Sequence, residues 1–168
     1  VEYVSIESMV ERARERGEKP LIIVCDGIED PHNLGAIIRC ADGAGAHGVI
    51  IGKRRCAQVT STVCKSSAGA IEYVPIAKVA NIASAIDELK EMGIWTFAAE
   101  ADGEDYRRAD MYCPCAIVLG SEGEGVSRLA REKCDYTVSI PMRGGVNSLN
   151  VSTAAAVLLY EAASKQGK

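Results

Sequence analysis

The stretch Ala116-Ile117-Val118-Leu119-Gly120-Ser121-Glu122-Gly123-Glu124-Gly125 joins an apolar run to a loop that contains three glycines. A short, uninterrupted apolar run is typical of a strand buried on both faces of a parallel sheet. Glycines let a backbone approach a ligand closely, and the helix expected from about Val126 to Lys133 offers free N–H groups. The glycine order differs from the dinucleotide-binding fingerprint, and the two glutamates would repel a pyrophosphate. We interpret the loop as a site for a nucleoside-like ligand without phosphates, or as a glycine turn whose acids complement a helix dipole.

Strand-like and helix-like segments alternate along the rest of the 168-residue chain. Further strands are predicted at residues 21–25, 48–51, 72–75, 94–99 and 136–140, and helices at about 6–16, 34–46, 60–67, 79–92 and 149–163. This alternation predicts an α/β fold in which helices cover both faces of a parallel sheet. Ligands bind such sheets at the carboxyl ends of the strands. A site is therefore expected in the loops after Cys25, Ala99, Leu119 and Ile140.

The composition excludes several classes of protein. Hydrophobic residues make up 48% of the chain and charged residues 25%, which is typical of a globular domain. No apolar run reaches the roughly 18–20 residues that span a bilayer, so a membrane protein is not expected. Seven cysteines and two histidines form no metal-binding spacing, and we expect reduced thiols, no metal and a cytoplasmic location. A net charge of −4 and 5% aromatic residues disfavour nucleic-acid binding by charge or base stacking alone.

Small polar side chains crowd the start of the last predicted helix. They are Asn147, Ser148, Asn150 and Ser152. Asn147 or Ser148 is expected to be the N-cap. Asn150 and Ser152 would then lie inside a nearly buried helix, where polar groups need partners that a ligand can supply.

One charged residue stands in the otherwise apolar helix predicted at residues 34–46. Arg39 either pairs with Asp42 three residues later or clamps a phosphate or carboxylate. Asn33 is expected to cap this helix. Asp26, at a strand end, suggests a phosphoacceptor, but that chemistry needs a lysine at a later strand end, and no lysine directly follows the strands predicted at 94–99, 116–119 and 136–140.

Three segments closely resemble, in this order, motifs 1, 2 and 3 of the SpoU/TrmH family. They are Asn33 with Gly35-Ala36-Ile37-Ile38-Arg39, then Leu119–Gly125, then Ile140-Pro141-Met142 with Ser148-Leu149-Asn150-Val151-Ser152. The family comprises S-adenosylmethionine-dependent RNA 2′-O-ribose methyltransferases of the SPOUT superfamily. The resemblance covers about residues 20–165 and implies a parallel sheet with a C-terminal deep trefoil knot, and a homodimer with its active site near the subunit interface.

The resemblance indicates the substrate less specifically than it indicates the reaction. The stretch from residue 57 to 75 looks most like the branch that methylates a guanosine ribose in large-subunit (23S) rRNA. Transfer RNA is the alternative substrate, and a non-catalytic knotted dimer that binds the cofactor or RNA is the alternative function.

The same resemblance implies the residues of the site. S-adenosylmethionine would be held at Ala99, Leu119, Gly120, Ile140, Met142, Ser148 and Leu149. The catalytic set would be Asn33, Arg39, Glu122, Ser148, Asn150 and Ser152. Asn33 and Glu122 are expected to orient Arg39. Ser148 and Asn150 are expected to position the methyl donor.

Physical chemistry limits the role of Arg39. A guanidinium with a pKa above about 12 costs several kcal/mol to deprotonate at pH 7, which argues against a general base. We expect Arg39 to grip an RNA phosphate and stabilise the developing alkoxide, while a phosphate oxygen or water takes the proton.

The resemblance also suggests how the chain is organised. Residues 19–168 are expected to form the knotted catalytic domain. Residues 1–18 are expected to be a helical linker left from an upstream region, because the chain starts at Val1 and many family members carry an N-terminal RNA-binding domain. Without that domain, we expect weak RNA recognition. A local basic surface for RNA is expected from Lys53, Arg54, Arg55, Lys65, Arg107, Arg108 and Arg143.

Overall fold

The computed structural model describes residues 1–168. Its strands are β1 (Leu21–Asp26), β2 (Gly48–Gly52), β3 (Ile76–Val79), β4 (Trp95–Asp105), β5 (Cys115–Gly120) and β6 (Tyr136–Ser139). Its helices are α1 (Ile6–Glu15), α2 (Pro31–Ala44), α3 (Ser61–Ser66), α4 (Ile82–Glu91), α5 (Arg128–Lys133) and α6 (Val151–Lys165), with 3₁₀ turns at Ala70–Glu72 and Tyr106–Arg108. All strands pair in parallel in the order β3-β2-β1-β5-β4-β6. The predicted α/β fold is confirmed.

Helices cover both faces of the sheet and enclose two hydrophobic cores. Strand β1 shows the division, because Ile23 packs into one core while Ile22 and Val24 pack into the other, as the pleat requires. Helices α2, α3 and α6 supply apolar side chains to the first core, and α1, α4 and α5 supply the second. The predicted arrangement of helices on both faces is therefore confirmed.

Helix α1 packs against the sheet. Its buried residues are Ile6, Met9, Val10 and Ala13. Met9 lies so close over Gly48 that a Cβ at this glycine would come within 2.1 Å of the Met9 sulfur. The helix is thus part of the second core, and its origin as a linker to an upstream region stays a prediction.

Two predicted boundaries are wrong. Residues 72–75 form no strand, because the N–H groups of Glu72 and Tyr73 bond back to Gly69 and Ala70 in a 3₁₀ turn, and β3 starts only at Ile76. Strand β4 runs on to Asp105, through a segment expected to be a loop. The register in which β4 pairs with β6 shifts between Ala99 and Glu104. Because of this shift, Glu104 and Asp105 also pair with β6.

The carboxyl ends of the parallel strands meet at one edge of the sheet, where the loops after β1, β2, β5 and β6 gather. From β6, beside β4, the irregular segment 140–150 leads back to α6, whose inner side packs with α2 over the first core. No helix combines the length and apolar character needed to cross a bilayer.

Candidate active site

A cavity of about 380 Å³ lies behind the loop after β5. We call it the glycine-loop cavity. Its lining includes the predicted cofactor residues Ala99, Leu119, Gly120, Ile140, Ser148 and Leu149. Met142, also predicted, is half-buried and does not line the cavity. Strands β4, β5 and β6 and the segment before α6 thus bring together most of the predicted cofactor residues, which are scattered along the sequence.

The loop closes through a tight turn that requires glycine. The N–H of Gly125 donates to the carbonyl of Ser121 at 2.8 Å, and Gly125 has a left-handed φ of +70°. A Cβ on Gly120 would lie 1.9 Å from the carbonyl carbon of Gly125 and 2.1 Å from the nitrogen of Val126. The close backbone crossing shapes one wall of the glycine-loop cavity.

The lining of the glycine-loop cavity fits a nucleoside without phosphates. Nine of its nineteen lining residues are hydrophobic, and Glu100, Glu122 and Glu124 lie around it. The side chain of Glu100 is partly buried, its Oε1 has no hydrogen-bond partner, and burial raises the pKa of its carboxyl. Carboxylates favour a cation and repel a phosphate. The lining of the glycine-loop cavity therefore also suits a nucleoside that carries a positive charge.

A hydrogen-bond network joins three predicted catalytic residues. The side-chain amide of Asn150 donates to Glu122 Oε1 at 2.8 Å and to Asn33 Oδ1 at 3.3 Å. The backbone N–H of Val151 donates to the same Glu122 oxygen at 3.2 Å. We call these three residues the Asn150 network. It ties the glycine loop, the start of α2 and the start of α6 at one point.

Asn150 is also the N-cap of α6. Its Oδ1 accepts from the N–H of Ser152 at 2.9 Å and from the Ser152 hydroxyl at 2.6 Å. The prediction of Asn147 or Ser148 as the cap is wrong, and Asn150 and Ser152 lie at the helix start rather than in its interior. Ser148 is exposed and lines the glycine-loop cavity.

The cap of α2 also differs from the prediction. Asp30 is the N-cap, with Oδ1 accepting from the N–H of His32 at 2.8 Å, and Pro31 opens the helix. Proline at the first helical position was the signal that identifies this start. Asn33 is consequently inside the first turn, where its side chain is free to reach Asn150.

Arg39 stands apart from the Asn150 network. Its side chain is exposed and forms no ion pair, neither with Asp42 nor with Glu122. In the single chain, Asn33 and Glu122 bond to Asn150 instead of orienting Arg39. The orientation of Arg39 by Asn33 and Glu122 is thus not made within this chain, and it stays a prediction.

A second cavity, of about 520 Å³, adjoins the first. We call it the acidic cavity. Its acidic lining residues are Asp26, Glu29, Asp30, Glu122 and Glu124, and Asn33 and Arg55 also line it. Glu122 and Val151 line both cavities, so the Asn150 network lies at their boundary.

Several residues of these cavities were absent from the predicted site. Asp26 was considered only as a phosphoacceptor; in the structure its carboxylate accepts from the N–H of Ser127 at 2.8 Å. Arg55 and Glu100 carry no motif, and only the fold brings them to the cavities. The structure contains no group of His, Cys, Asp and Glu side chains arranged to hold a metal ion.

The fold and the site define an α/β protein with a nucleoside-binding edge and a polar network beside it. The chain belongs to the SpoU rRNA methylase family, whose model matches residues 20–160. It is 48% identical over 161 residues to a protein of Bacillus subtilis (strain 168) named for the TrmH family of tRNA/rRNA methyltransferases. That match covers 95% of this chain and 65% of the relative, so the chain spans just under two thirds of the relative's length.

Solved structures of methyltransferases are also similar to this chain. The SpoU methyltransferase AviRb from Streptomyces viridochromogenes, in complex with the cofactor AdoMet, matches with a TM-score of 0.87 and 31% identity over 99% of this chain and 66% of that one. An RNA 2′-O ribose methyltransferase matches with a TM-score of 0.79 and 34% identity over 89% of this chain and 57% of that one. Family membership follows from sequence and structure together.

Proposed function

We propose that this chain transfers the methyl group of S-adenosylmethionine to a ribose 2′-hydroxyl of RNA, at a guanosine of 23S rRNA. The observation that carries this proposal is the position of the Asn150 network. It lies at the boundary between the glycine-loop cavity, which suits a nucleoside cation, and the adjoining acidic cavity. The names of the matched proteins support methyl transfer to RNA, and one names the ribose 2′-oxygen.

The proposed cofactor site is the glycine-loop cavity. Backbone groups around Gly120, Ile140 and Leu149 would hold the nucleoside, beside the apolar walls of the cavity. When bound, S-adenosylmethionine supplies a methyl group on a positively charged sulfonium. The carboxylates of Glu100, Glu122 and Glu124 would favour this positive charge. Ala99, Leu119, Met142 and Ser148 complete the proposed binding set.

The proposed catalytic contribution is alignment. Glu122 and Asn33 fix the amide of Asn150, and Asn150 fixes Ser152, so the polar groups facing a ribose are held in one geometry. Alignment of a nucleophile with an electrophile lowers the activation barrier by several kcal/mol. Arg39 would bind an RNA phosphate and stabilise the developing alkoxide, and a phosphate oxygen or water would accept the proton. No metal takes part in this proposal.

A homodimer is part of the proposal. The outward face of α6 carries Ala156, Val157 and Tyr160, and the tyrosine is 53% exposed. These side chains form a partly exposed apolar patch on the helix, and such patches often mark interaction surfaces, which supports a second copy against α6. Because Arg39 lies outside the Asn150 network of its own chain, a dimer would also allow the arginine of one copy to approach the site of the other.

The organisation of the chain is proposed to follow the family. Residues 19–168 would be the catalytic domain, with a deep trefoil knot formed as the segment 140–150 passes from the edge strand β6 back to α6. Residues 1–18 would connect to an upstream RNA-binding region, and the protein would act in the cytoplasm. RNA and a second copy of the chain would be its macromolecular partners.

One assay separates the candidate functions. Tritiated S-adenosylmethionine is incubated with the protein and with 23S rRNA or transfer RNA transcribed in vitro, and the labelled nucleotide is then identified. Methyl transfer to a guanosine ribose of 23S rRNA supports the proposal. Labelled transfer RNA would favour the alternative that the name of the Bacillus relative also covers. Calorimetric binding of the cofactor without transfer to either RNA would indicate the non-catalytic dimer.

A further inference from the structure

The acidic cavity has a single cationic side chain among its lining residues, that of Arg55. Five acidic residues share the cavity with it, yet Arg55 forms no ion pair and no hydrogen bond with any of them. A guanidinium carries five N–H donors in a planar fork. All of them remain available to a ligand.

The backbone holds Arg55 in place, although its side chain has no partner. Arg55 has a left-handed φ of +53°, which residues other than glycine rarely adopt. The loop around it is fixed on both sides. Ala57 donates its N–H to the carbonyl of Ile28 at 2.7 Å, and the side-chain amide of Gln58 donates to the carbonyls of Gly52 at 3.0 Å and Cys56 at 2.9 Å. Such strained conformations persist where neighbouring contacts fix them, often at ligand sites.

The position of the acidic cavity indicates which ligand it would receive. Asn33 and Glu122 line it, so a ribose that reaches the Asn150 network would place its flanking phosphates in or beside this cavity. The carboxylates there repel a phosphate, and Arg55 is the one lining side chain that attracts it. Arginine binds phosphate through two parallel hydrogen bonds, which fixes orientation as well as position.

We propose that Arg55 binds an RNA phosphate next to the methylated ribose and so positions the substrate. This inference rests on the proposed function and adds a positioning residue outside the set that the sequence motifs indicate. Its role is separate from that of the cofactor residues, because Arg55 does not line the glycine-loop cavity.

The test compares Arg55→Ala, Arg55→Lys and the control Arg16→Ala in the whole chain. Arg16 follows α1, is exposed, forms no ion pair, lines neither cavity and is not part of the basic surface expected to meet RNA. For Arg55→Ala we expect the KM for the transcribed RNA to rise by at least about tenfold, with kcat and the Kd for S-adenosylmethionine within about threefold of the wild type. The slope of log KM against the logarithm of the salt concentration should decrease by about the amount that one phosphate contact contributes. Arg55→Lys should be intermediate, and Arg16→Ala should stay within about twofold of the wild type.

Equal KM values for Arg55→Ala and Arg16→Ala would overturn the inference, as would an effect confined to kcat or to cofactor affinity. If the wild type transfers no methyl group to either RNA, the proposed function fails on its own. Retention of the same transcripts on nitrocellulose then decides the role of Arg55. Weaker retention by Arg55→Ala than by Arg16→Ala supports it, and equal retention rejects it.

Discussion

Asn150 has two roles that different substitutions can separate. Its Oδ1 caps α6 through Ser152, and its amide nitrogen holds Glu122 and Asn33. Asn150→Ser keeps a capping oxygen but removes the amide, so we expect stability within about 0.5 kcal/mol of the wild type. Methyl transfer should fall by about 100-fold, because the aligned polar groups are released. Asn150→Ala should lose the cap as well, and about 1 kcal/mol of stability with it.

Urea unfolding and single-turnover methyl transfer measure these two effects. If Asn150→Ser transfers methyl at the wild-type rate, the Asn150 network has no part in the reaction.

His47 makes stability depend on pH. The ring is buried, its Nδ1 accepts from the N–H of Leu21 at 3.0 Å, and its Nε2 lies 3.1 Å from Glu18. The neutral ring therefore carries its proton on Nε2. Burial is the main cause that lowers the pKa of His47, and it outweighs the hydrogen bond to Glu18, which raises it. As the pH falls below about 6.5, the unfolded chain binds a proton that the folded protein resists, so stability should decrease from pH 7.5 to 5.5.

Chemical denaturation at several pH values measures this dependence. His47→Gln should flatten the slope in that window, whereas His32→Gln should retain it, because the His32 ring is exposed and bonds only to the hydroxyl of Ser66. Equal slopes in the wild type and His47→Gln would contradict the assignment.

The glycine loop depends on the absence of a side chain at one position. Because a Cβ on Gly120 would overlap the backbone of Gly125 and Val126, Gly120→Ala must displace the loop. We expect it to lose more than about 2 kcal/mol of stability and at least about tenfold in cofactor affinity. Gly123→Ala is the matched control, since nothing lies within 4 Å of a Cβ built there, and its stability should change by less than about 1 kcal/mol.

Thermal unfolding and calorimetric titration with S-adenosylmethionine compare the two variants. Equal cofactor affinity in both would show that the backbone crossing at Gly120 does not shape the site.

The elements that the sequence predicts best are those with a strong local signal. The apolar runs identify β1 and β5, which are buried on both faces. Strand β3 was placed too early because it has only four residues, follows Pro75 and lies at the sheet edge, where its pattern is weak. Residues 102–105 were predicted as a loop, and they join β4 only because the register shift lets them pair with β6.

The residues of the candidate site also fall into those that the sequence predicts and those that it does not. The motifs identify Asn33, Glu122 and Asn150, which the structure brings into one network. The cap of α6 was not predictable, because several neighbouring residues can cap equally well and the choice of Asn150 involves Glu122, 28 residues away in sequence. Arg55 was predicted only as one member of a broader basic surface. Its place beside the Asn150 network was not predictable, since its loop is held by the hydrogen bond from Ala57 to Ile28 on another loop.

Charge is unevenly distributed over the whole molecule. The chain carries a net charge of −4, and acidic side chains surround both cavities. The basic residues expected to meet RNA lie mainly in the loops after β2, β4 and β6, and all seven are exposed. Arg107 is paired with Asp105 at 2.7 Å, which leaves less of its charge for RNA. This arrangement suits a substrate held at a few points around an acidic centre rather than by a broad basic surface.

Association of two copies is the property of the whole molecule that is simplest to test. Tyr160 is 53% exposed on α6, and its hydroxyl lies beside Gly43 of α2 rather than among the buried core side chains, so Tyr160→Glu should leave the core of one chain in place. If a second copy covers this part of α6, the new carboxylate is buried against apolar side chains and the dimer should weaken by at least about tenfold in Kd. Tyr73→Glu is the control, because this tyrosine is 70% exposed and lies away from α6, in the turn before β3.

Multi-angle light scattering should give twice the 17.8 kDa chain mass for the wild type and Tyr73→Glu, and a lower mass for Tyr160→Glu on dilution. Because Arg39 lies outside the Asn150 network of its own chain, methyl transfer should decline together with dimerisation in Tyr160→Glu. A fully active monomer would show that each chain completes its own site, and Arg39 would then have to reach the ribose by a movement of α2 or of the bound RNA.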